Sequence, residues 1–171
     1  MATTVQLLLD ELASAFPAAR PGPFAPLVNS TLGDEPAEVA DAFRDKADWT
    51  TLDPDWLEQQ VDALHFFSNA AICFYIPAFI AADLKGRLGN VDPVFALTHG
   101  FAKGVGAERI QPRQHRTWGD CAREQWAGLT TAQARVIVHY LEWKLQQYGP
   151  RFEAGAAEAL ADYWYQRAAD S

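Results

Sequence analysis

Cysteine is nearly missing from this chain: Cys73 and Cys121 are the only two in 171 residues. Cys73 stands inside an apolar run and Cys121 among polar neighbours, which argues against a disulfide framework and for a reducing, cytoplasmic setting. Serine is scarce too, at Ser14, Ser30, Ser68 and Ser171. None stands in a Gly-x-Ser-x-Gly elbow, and Cys121 has no local signature of a nucleophile. Long hydrophobic runs are absent. The longest uncharged apolar run, Ala70 to Ala82, has 13 residues, whereas a membrane span needs about 18 or more. The N-terminus, MATTVQLLLDELASAF, lacks a basic flank and meets Asp10 and Glu11 after a very short apolar run. That is the pattern of an amphipathic helix and not of a signal peptide, so no membrane association is expected.

What is present in excess is acid, and it is localised. The ten acids Asp34, Glu35, Glu38, Asp41, Asp45, Asp48, Asp53, Asp55, Glu58 and Asp62 face only Arg44 and Lys46 within their segment. That block accounts for the whole net charge of −8, because the rest of the chain balances at 12 acids and 12 bases. Phosphate recognition needs clustered Lys and Arg, so nucleic acid is not the expected ligand. A milder basic cluster follows at Lys103, Arg109, Arg113, Arg116 and Arg123. An acidic block of this kind suits a basic partner, and it equally suits a solvated helix face.

Periodicity reads as helix almost throughout, and no period-2 strand or internal repeat occurs. A first helix is expected over about Thr4 to Phe16, followed by a proline-rich connector over 17–33. A second is expected over Pro36 to Lys46, with Asp34 as N-cap and Val39 and Phe43 inward. A third starts at Asp53-Pro54, where Asp53 caps and Pro54 suits the first helical position. Ser68 caps the next, which carries CFYIPAFIAADL and stops near Gly89. A short helix begins at DPVFAL, and a long loop covers 100–119. Thr130 and Gln133 form a capping box for a helix that Gly149 and Pro150 end. A last helix runs from about Phe152 to Ala168. The fold expected is all-α: one domain over 1–171, an irregular helical bundle with a Pro-kinked central helix. Pro77 in that helix removes a hydrogen bond to Cys73 and clashes there, at roughly 3 kcal/mol in an isolated helix. The alternative is two helices joined near Ile76. The all-round apolar pattern places this segment in the core either way.

The segments SNAAICFYIPAFIAADL, DPVFALTHGF, DEPAEVADAF and LTTAQARVIVHYLEW together carry a resemblance. Over about Leu27 to Trp143 the chain resembles a bacterial family catalogued only as a domain of unknown function, whose hallmark is a Phe/Tyr-Tyr-Leu-Pro-Ala-Tyr/Phe core helix. Phe74, Tyr75, Pro77, Ala78 and Phe79 match that core, with Ile76 where Leu is usual. The resemblance implies a single intracellular domain with the Tyr75–Pro77 element in its plan, and no activity, cofactor or catalytic residue.

The chemical constellations are thin. His139 and Glu142 share a helix face, but no His-Glu-x-x-His or paired-Cys spacing completes a metal site, and no metal or cofactor is expected. LTHGFAKGVG, residues 97–106, has the glycines and the lysine of an anion nest but the spacing of neither a P-loop nor a dinucleotide fingerprint, and reads as a mobile connector. His65 and His115 carry no pattern. The leading expectation is a non-catalytic binding protein of immunity or accessory type, docking a basic protein partner on Asp34, Glu35, Glu38, Asp41 and Asp45. The alternative is a small-molecule enzyme or ligand-binding domain with a pocket at the Pro77 kink. His99 and Tyr75 would then be its catalytic candidates, with Arg113 or Arg116 nearby. A third reading is a structural role in a homo-oligomer.

Overall fold

A computed structural model describes residues 4–149 and 155–169. Every regular element among them is helical, and the only extended pairing consists of isolated bridges. Contacts divide the chain into two compact units, residues 1–93 and 94–171.

In the first unit α1 (Thr4–Ala15) buries Leu8 and Leu12. The proline-rich connector that follows is tied down by backbone pairing. Trp49 N–H donates to Ala18 O at 3.1 Å and Arg20 N–H to Ala47 O at 2.9 Å. Farther along, Asn29 N–H donates to Phe66 O at 2.7 Å and Ser68 N–H to Leu27 O at 2.9 Å. Helix α2 (Glu35–Phe43) buries Pro36, Val39 and Phe43. Asp34 precedes it with helical backbone and no side-chain bond to the helix, so the expected cap is not made. A residue already in the α region cannot turn its carboxylate back onto the first free N–H groups.

A 3-10 turn at Trp49–Thr51 leads to α3 (Pro54–Glu58), where Asp53 accepts from Asp55 N and Trp56 N, both at 2.9 Å. This helix is shorter than expected: it ends at Glu58, and α4 (Ala63–Phe66) is separate.

Helix α5 (Asn69–Leu84) is the centre of the unit. Ser68 caps it by accepting from Ala71 N at 3.2 Å, and the helix continues through Pro77 as one element, so the two-helix alternative is set aside. Its buried residues, from Ala71 and Ile72 through Tyr75, Ile76, Phe79 and Ile80 to Leu84, surround the axis. A large apolar side chain contributes about 1.5–3 kcal/mol when fully buried, which offsets the cost of an internal proline several times over. Helices α1 and α3 and the Trp49–Thr51 turn pack on it. The helix stops at Leu84 and not near Gly89. Gly86, at φ +67, allows a Schellman end: Arg87 N–H donates to Ala82 O at 3.0 Å and Gly86 N–H to Asp83 O at 2.8 Å.

The second unit opens with α6 (Pro93–Thr98), whose first residue closes the first unit, and a 3-10 turn at His99–Phe101. The stretch expected as a long loop holds a further turn at Val105–Ala107, a bridge between Arg109 and Thr117, and the start of α7 (Trp118–Trp126). Thr117 and Asp120 form a reciprocal capping box at that start. Helix α8 (Thr131–Tyr148) has the expected box at Thr130 and Gln133 and the expected glycine end at Gly149, φ +77. The closing segment is α9 (Ala156–Ala159), a π-helical turn at Leu160–Trp164, and α10 (Tyr165–Ala169). The expected helix start at Phe152, like Pro150, lies outside the described residues. Phe101 stacks on Tyr163 at 4.4 Å, and Trp164 lies 5.8 Å from Trp126 and donates its indole N–H to Leu97 O at 2.9 Å.

Candidate functional site

The acidic segment separates into acids that the fold uses and acids that it does not. Asp48 accepts from Thr50 N and Thr50 Oγ1, and Asp53 caps α3. Asp55 takes the Arg87 guanidinium on both oxygens at 2.5 Å. Glu58 accepts from Gly89 N at 3.0 Å, Asn90 N at 2.8 Å and Asn90 Nδ2 at 2.7 Å, and these bonds hold its carboxyl below its ordinary value. All four bind together pieces of the first unit.

Of the others, Asp62 precedes α4 without capping it, and the rest lie on α2 or at its ends. Glu38 and Asp41 stand three apart on α2, with Asp34 at its N-cap position and Asp45 in the turn two residues past its end. Pro36, Val39 and Phe43 occupy the buried side. All four acids, and Glu35 beside them, are exposed. Asp41 pairs with Arg44. The side chains of Asp34, Glu35, Glu38 and Asp45 have no hydrogen-bond or ion-pair partner among the described residues. Like charges three and four apart on a helix oppose folding by about 0.2–0.5 kcal/mol per pair. Asp41 and Asp45 also stand toward the C-terminal end, where the helix dipole disfavours anions. Glu35 and Glu38 stand in the first turn, where the dipole favours anions, and Asp41 is paired with Arg44, so the repulsion is partly offset within the helix.

Tyr75 holds the end of that helix. Its ring is fully buried, 4.9 Å from Phe43, 5.1 Å from Phe67 and 4.9 Å from Phe74. Its hydroxyl donates to Lys46 O at 2.5 Å, with Phe43 O at 3.3 Å, and accepts from Arg20 Nη1 at 3.4 Å. Arg20 Nη2 donates to Arg44 O at 2.5 Å. Carbonyls at and just beyond the end of α2, which have no partners within the helix, are thus served by a tyrosine from α5 and a cation that suits the negative helix end. Burial pushes the Tyr75 hydroxyl above its ordinary value, and the Arg20 charge pulls the other way. Its hydroxyl is bonded to backbone of the Phe43–Lys46 segment and so ties α5 to the end of α2.

A groove of about 400 Å³ lies in the first unit, lined by the α1 stripe Gln6, Leu9, Asp10 and Ala13 and by Ala78, Ala81, Ala82 and Lys85 of α5. Trp49, Leu52 and Pro54 complete its walls. It begins one residue beyond Pro77, but Tyr75 does not line it.

His99 belongs to the second unit. Its imidazole stacks on Phe95 at 4.5 Å and meets Trp118 edge-on at 6.0 Å, and its nitrogens make no hydrogen bond among the described residues. The glycines around it bring backbones together. A Cβ at Gly100 would stand 2.4 Å from Ala122 Cβ and 2.9 Å from Trp118 O, and one at Gly106 would stand 2.8 Å from Gly100 O. One at Gly119 would stand 2.8 Å from Gly106 O. The glycine-rich stretch is thus a close-packed turn and not a loose connector, and it sets His99 beside Trp118.

Arg116 pairs with Glu124. Arg113 is exposed and has no partner among the described residues. Cys73 and Cys121 form no disulfide, and burial pushes the Cys73 thiol up to about 12. Among the described residues no three of His, Cys, Asp and Glu gather as a metal site, and no helix is long and apolar enough to cross a membrane. The arrangement at the end of α2 was missed from the sequence, because Tyr75 and Arg20 carry no local signal for it.

Compared with known proteins, residues 31–168 match the model of the family described as "Family of unknown function (DUF6714)". No curated protein matches, and no solved structure matches. The matched region includes the acids of α2 and its ends, Tyr75, Pro77 and His99, and leaves out α1 and Arg20.

Proposed function

We propose, for a chain that belongs to the family of unknown function DUF6714, a non-catalytic binding role in which α2 docks a basic surface of a protein partner. The observation that carries this reading is the division of labour among the acids. Asp48, Asp53, Asp55 and Glu58 are engaged by the fold, while the exposed Asp34, Glu35, Glu38 and Asp45 stand unengaged on α2 and at its two ends. Unpaired like charges at helical spacing oppose folding, so their presence points to a use outside the fold. A complementary basic surface relieves that repulsion on binding and steers the encounter. The cytoplasm is the proposed setting, where both thiols stay reduced.

The test is retention from host lysate on immobilised wild type and on the Glu38→Lys/Asp41→Lys/Asp45→Lys variant, at low and high salt. The reading expects basic proteins held by wild type at low salt, released at high salt and not held by the variant. Equal retention by both chains overturns it.

The groove favours a second reading, a small-molecule binding site. Its volume falls in the range of roughly 300–1,000 Å³ in which single ligands are held, and its lining combines apolar side chains with Gln6, Asp10 and Lys85. This reading replaces the expected set of Tyr75, His99, Arg113 and Arg116 with residues of α1 and α5. Thermal-shift screening against Ala81→Leu, which narrows the groove, tests it: ligands must stabilise wild type and not the variant.

A further inference from the structure

Phe95 and Trp118 are exposed large apolar side chains, at 45% and 40%, and both rings meet the His99 imidazole. Three rings gathered at a surface, one of them an imidazole with no hydrogen bond, is an arrangement that the second unit's core does not require. The fold nonetheless builds it with care. The close approach of Gly100, Gly106 and Gly119 fixes the first turn of α7 against the His99–Phe101 turn, and Trp118 is the first residue of α7. Half-exposed Trp beside another aromatic is the composition of an interaction centre more than of a random surface.

The segment that carries His99 and Trp118 has more bases than acids. Arg109 bridges to Thr117 next to Trp118, and Arg116 lies two residues before it. Between His99 and Glu124 there are five bases, Lys103, Arg109, Arg113, Arg116 and Arg123, against Glu108, Asp120 and Glu124. Two of those acids are engaged locally, Asp120 in the Thr117 capping box and Glu124 with Arg116. The Arg113 and Lys103 side chains have no acidic partner among the described residues.

The same chain carries the opposite surface. Leu32, 84% exposed and the barest large apolar side chain described, stands two residues before the first of the acids Asp34, Glu38, Asp41 and Asp45. One surface thus offers an apolar anchor beside acids, and the other offers an aromatic seat beside bases. Resting on the reading of α2 as a binding face, we infer that its basic partner is a second copy of this chain. Leu32 and the α2 acids of one copy dock on Phe95, His99, Trp118 and the Arg113–Arg116 segment of the next. The two surfaces differ, so the contact is between unlike faces.

Sedimentation velocity tests this over a concentration series at low and high salt, on wild type, Trp118→Ala, Arg113→Glu and Glu38→Lys/Asp41→Lys. Wild type is expected to gain mass with concentration at low salt and to return to the monomer at high salt. Each variant alone should remain monomeric or associate at least tenfold more weakly. An equimolar mixture of Trp118→Ala and Glu38→Lys/Asp41→Lys retains one intact face on each chain and should give a heterodimer and nothing larger. Arg113→Glu changes an exposed side chain, so it keeps the test open if Trp118→Ala fails to fold. Monomeric wild type at every concentration overturns the inference, and leaves the binding of another basic protein to be judged by retention from lysate. Association that survives Glu38→Lys/Asp41→Lys but not Trp118→Ala also overturns it, because the acidic helix is then not the occupant.

Discussion

Tyr75→Phe is the substitution that isolates the link between the core helix and the acidic helix. It removes one oxygen and leaves the ring, so the contacts with Phe43, Phe67 and Phe74 persist. What is lost is the donor to Lys46 O at 2.5 Å and the acceptor for Arg20 at 3.4 Å. A net hydrogen bond contributes about 1 kcal/mol, and a part-buried carbonyl left without its donor raises the loss to about 1–2 kcal/mol. For a chain of this size that lowers Tm by roughly 2–8 °C, at 2–4 °C per kcal/mol. Urea unfolding followed by circular dichroism measures it. Hydrogen exchange adds a local readout, since the Val39–Phe43 amides should open sooner in the variant than in wild type. The pH dependence follows from linkage. Burial raises the Tyr75 hydroxyl above its ordinary 10.0, so the folded chain holds this proton more tightly than the unfolded chain. Its contribution is complete below pH about 10 and fades as pH rises through the folded value. The gap between wild type and Tyr75→Phe is therefore constant up to that point and narrows above it. A variant as stable as wild type, with unchanged exchange in α2, refutes the assignment.

Three further outcomes follow from the same geometry. Asp53→Ala should cost about 1 kcal/mol, because it frees two capped N–H groups, whereas Asp34→Ala should fall within about 0.5 kcal/mol; paired urea titrations decide. Trp164→Phe should be more destabilising than Trp126→Phe by about 1–3 kcal/mol. The first strips Leu97 O of its donor, while the second removes a buried indole N–H that has no acceptor among the described residues. Burial holds the Cys73 thiol near 12, so mass spectrometry after mild alkylation of the native protein should find Cys73 unmodified. It should react only as the chain unfolds, and early modification of Cys73 contradicts its placement.

How far the sequence led depends on how local each determinant is. Asp53-Pro54, Ser68 and the Thr130–Gln133 box start their helices as expected, since a cap and its N–H groups lie within three residues of each other. Helix α7 carried the same kind of signal in Thr117 and Asp120, but Gly119 inside it and the glycines before it made the stretch read as loop. The end of α5 was expected near Gly89, but the glycine at positive φ that follows the helix is Gly86. At the candidate site the acidic block around α2 was visible as charge. Which acids the fold consumes was not, because Asp55 and Glu58 find Arg87, Gly89 and Asn90 some 31–32 residues away. Tyr75 and Arg20 are 55 residues apart, and nothing local marks them as the pair that serves the end of α2.

The central claim is that the acids of α2 and its ends serve binding and not the fold. It is tested most directly by measuring binding and stability on one variant, Glu38→Gln/Asp41→Asn/Asp45→Asn. Relief of like-charge repulsion, about 0.2–0.5 kcal/mol per pair, is set against loss of the Asp41–Arg44 pair and of Glu38 in the first turn, so stability to urea should stay within about 0.5 kcal/mol of wild type at low salt. The same variant should lose the basic protein, second copy or other, that wild type retains. A variant that is less stable than wild type beyond that margin and binds as well would show that these acids belong to the fold and not to a partner.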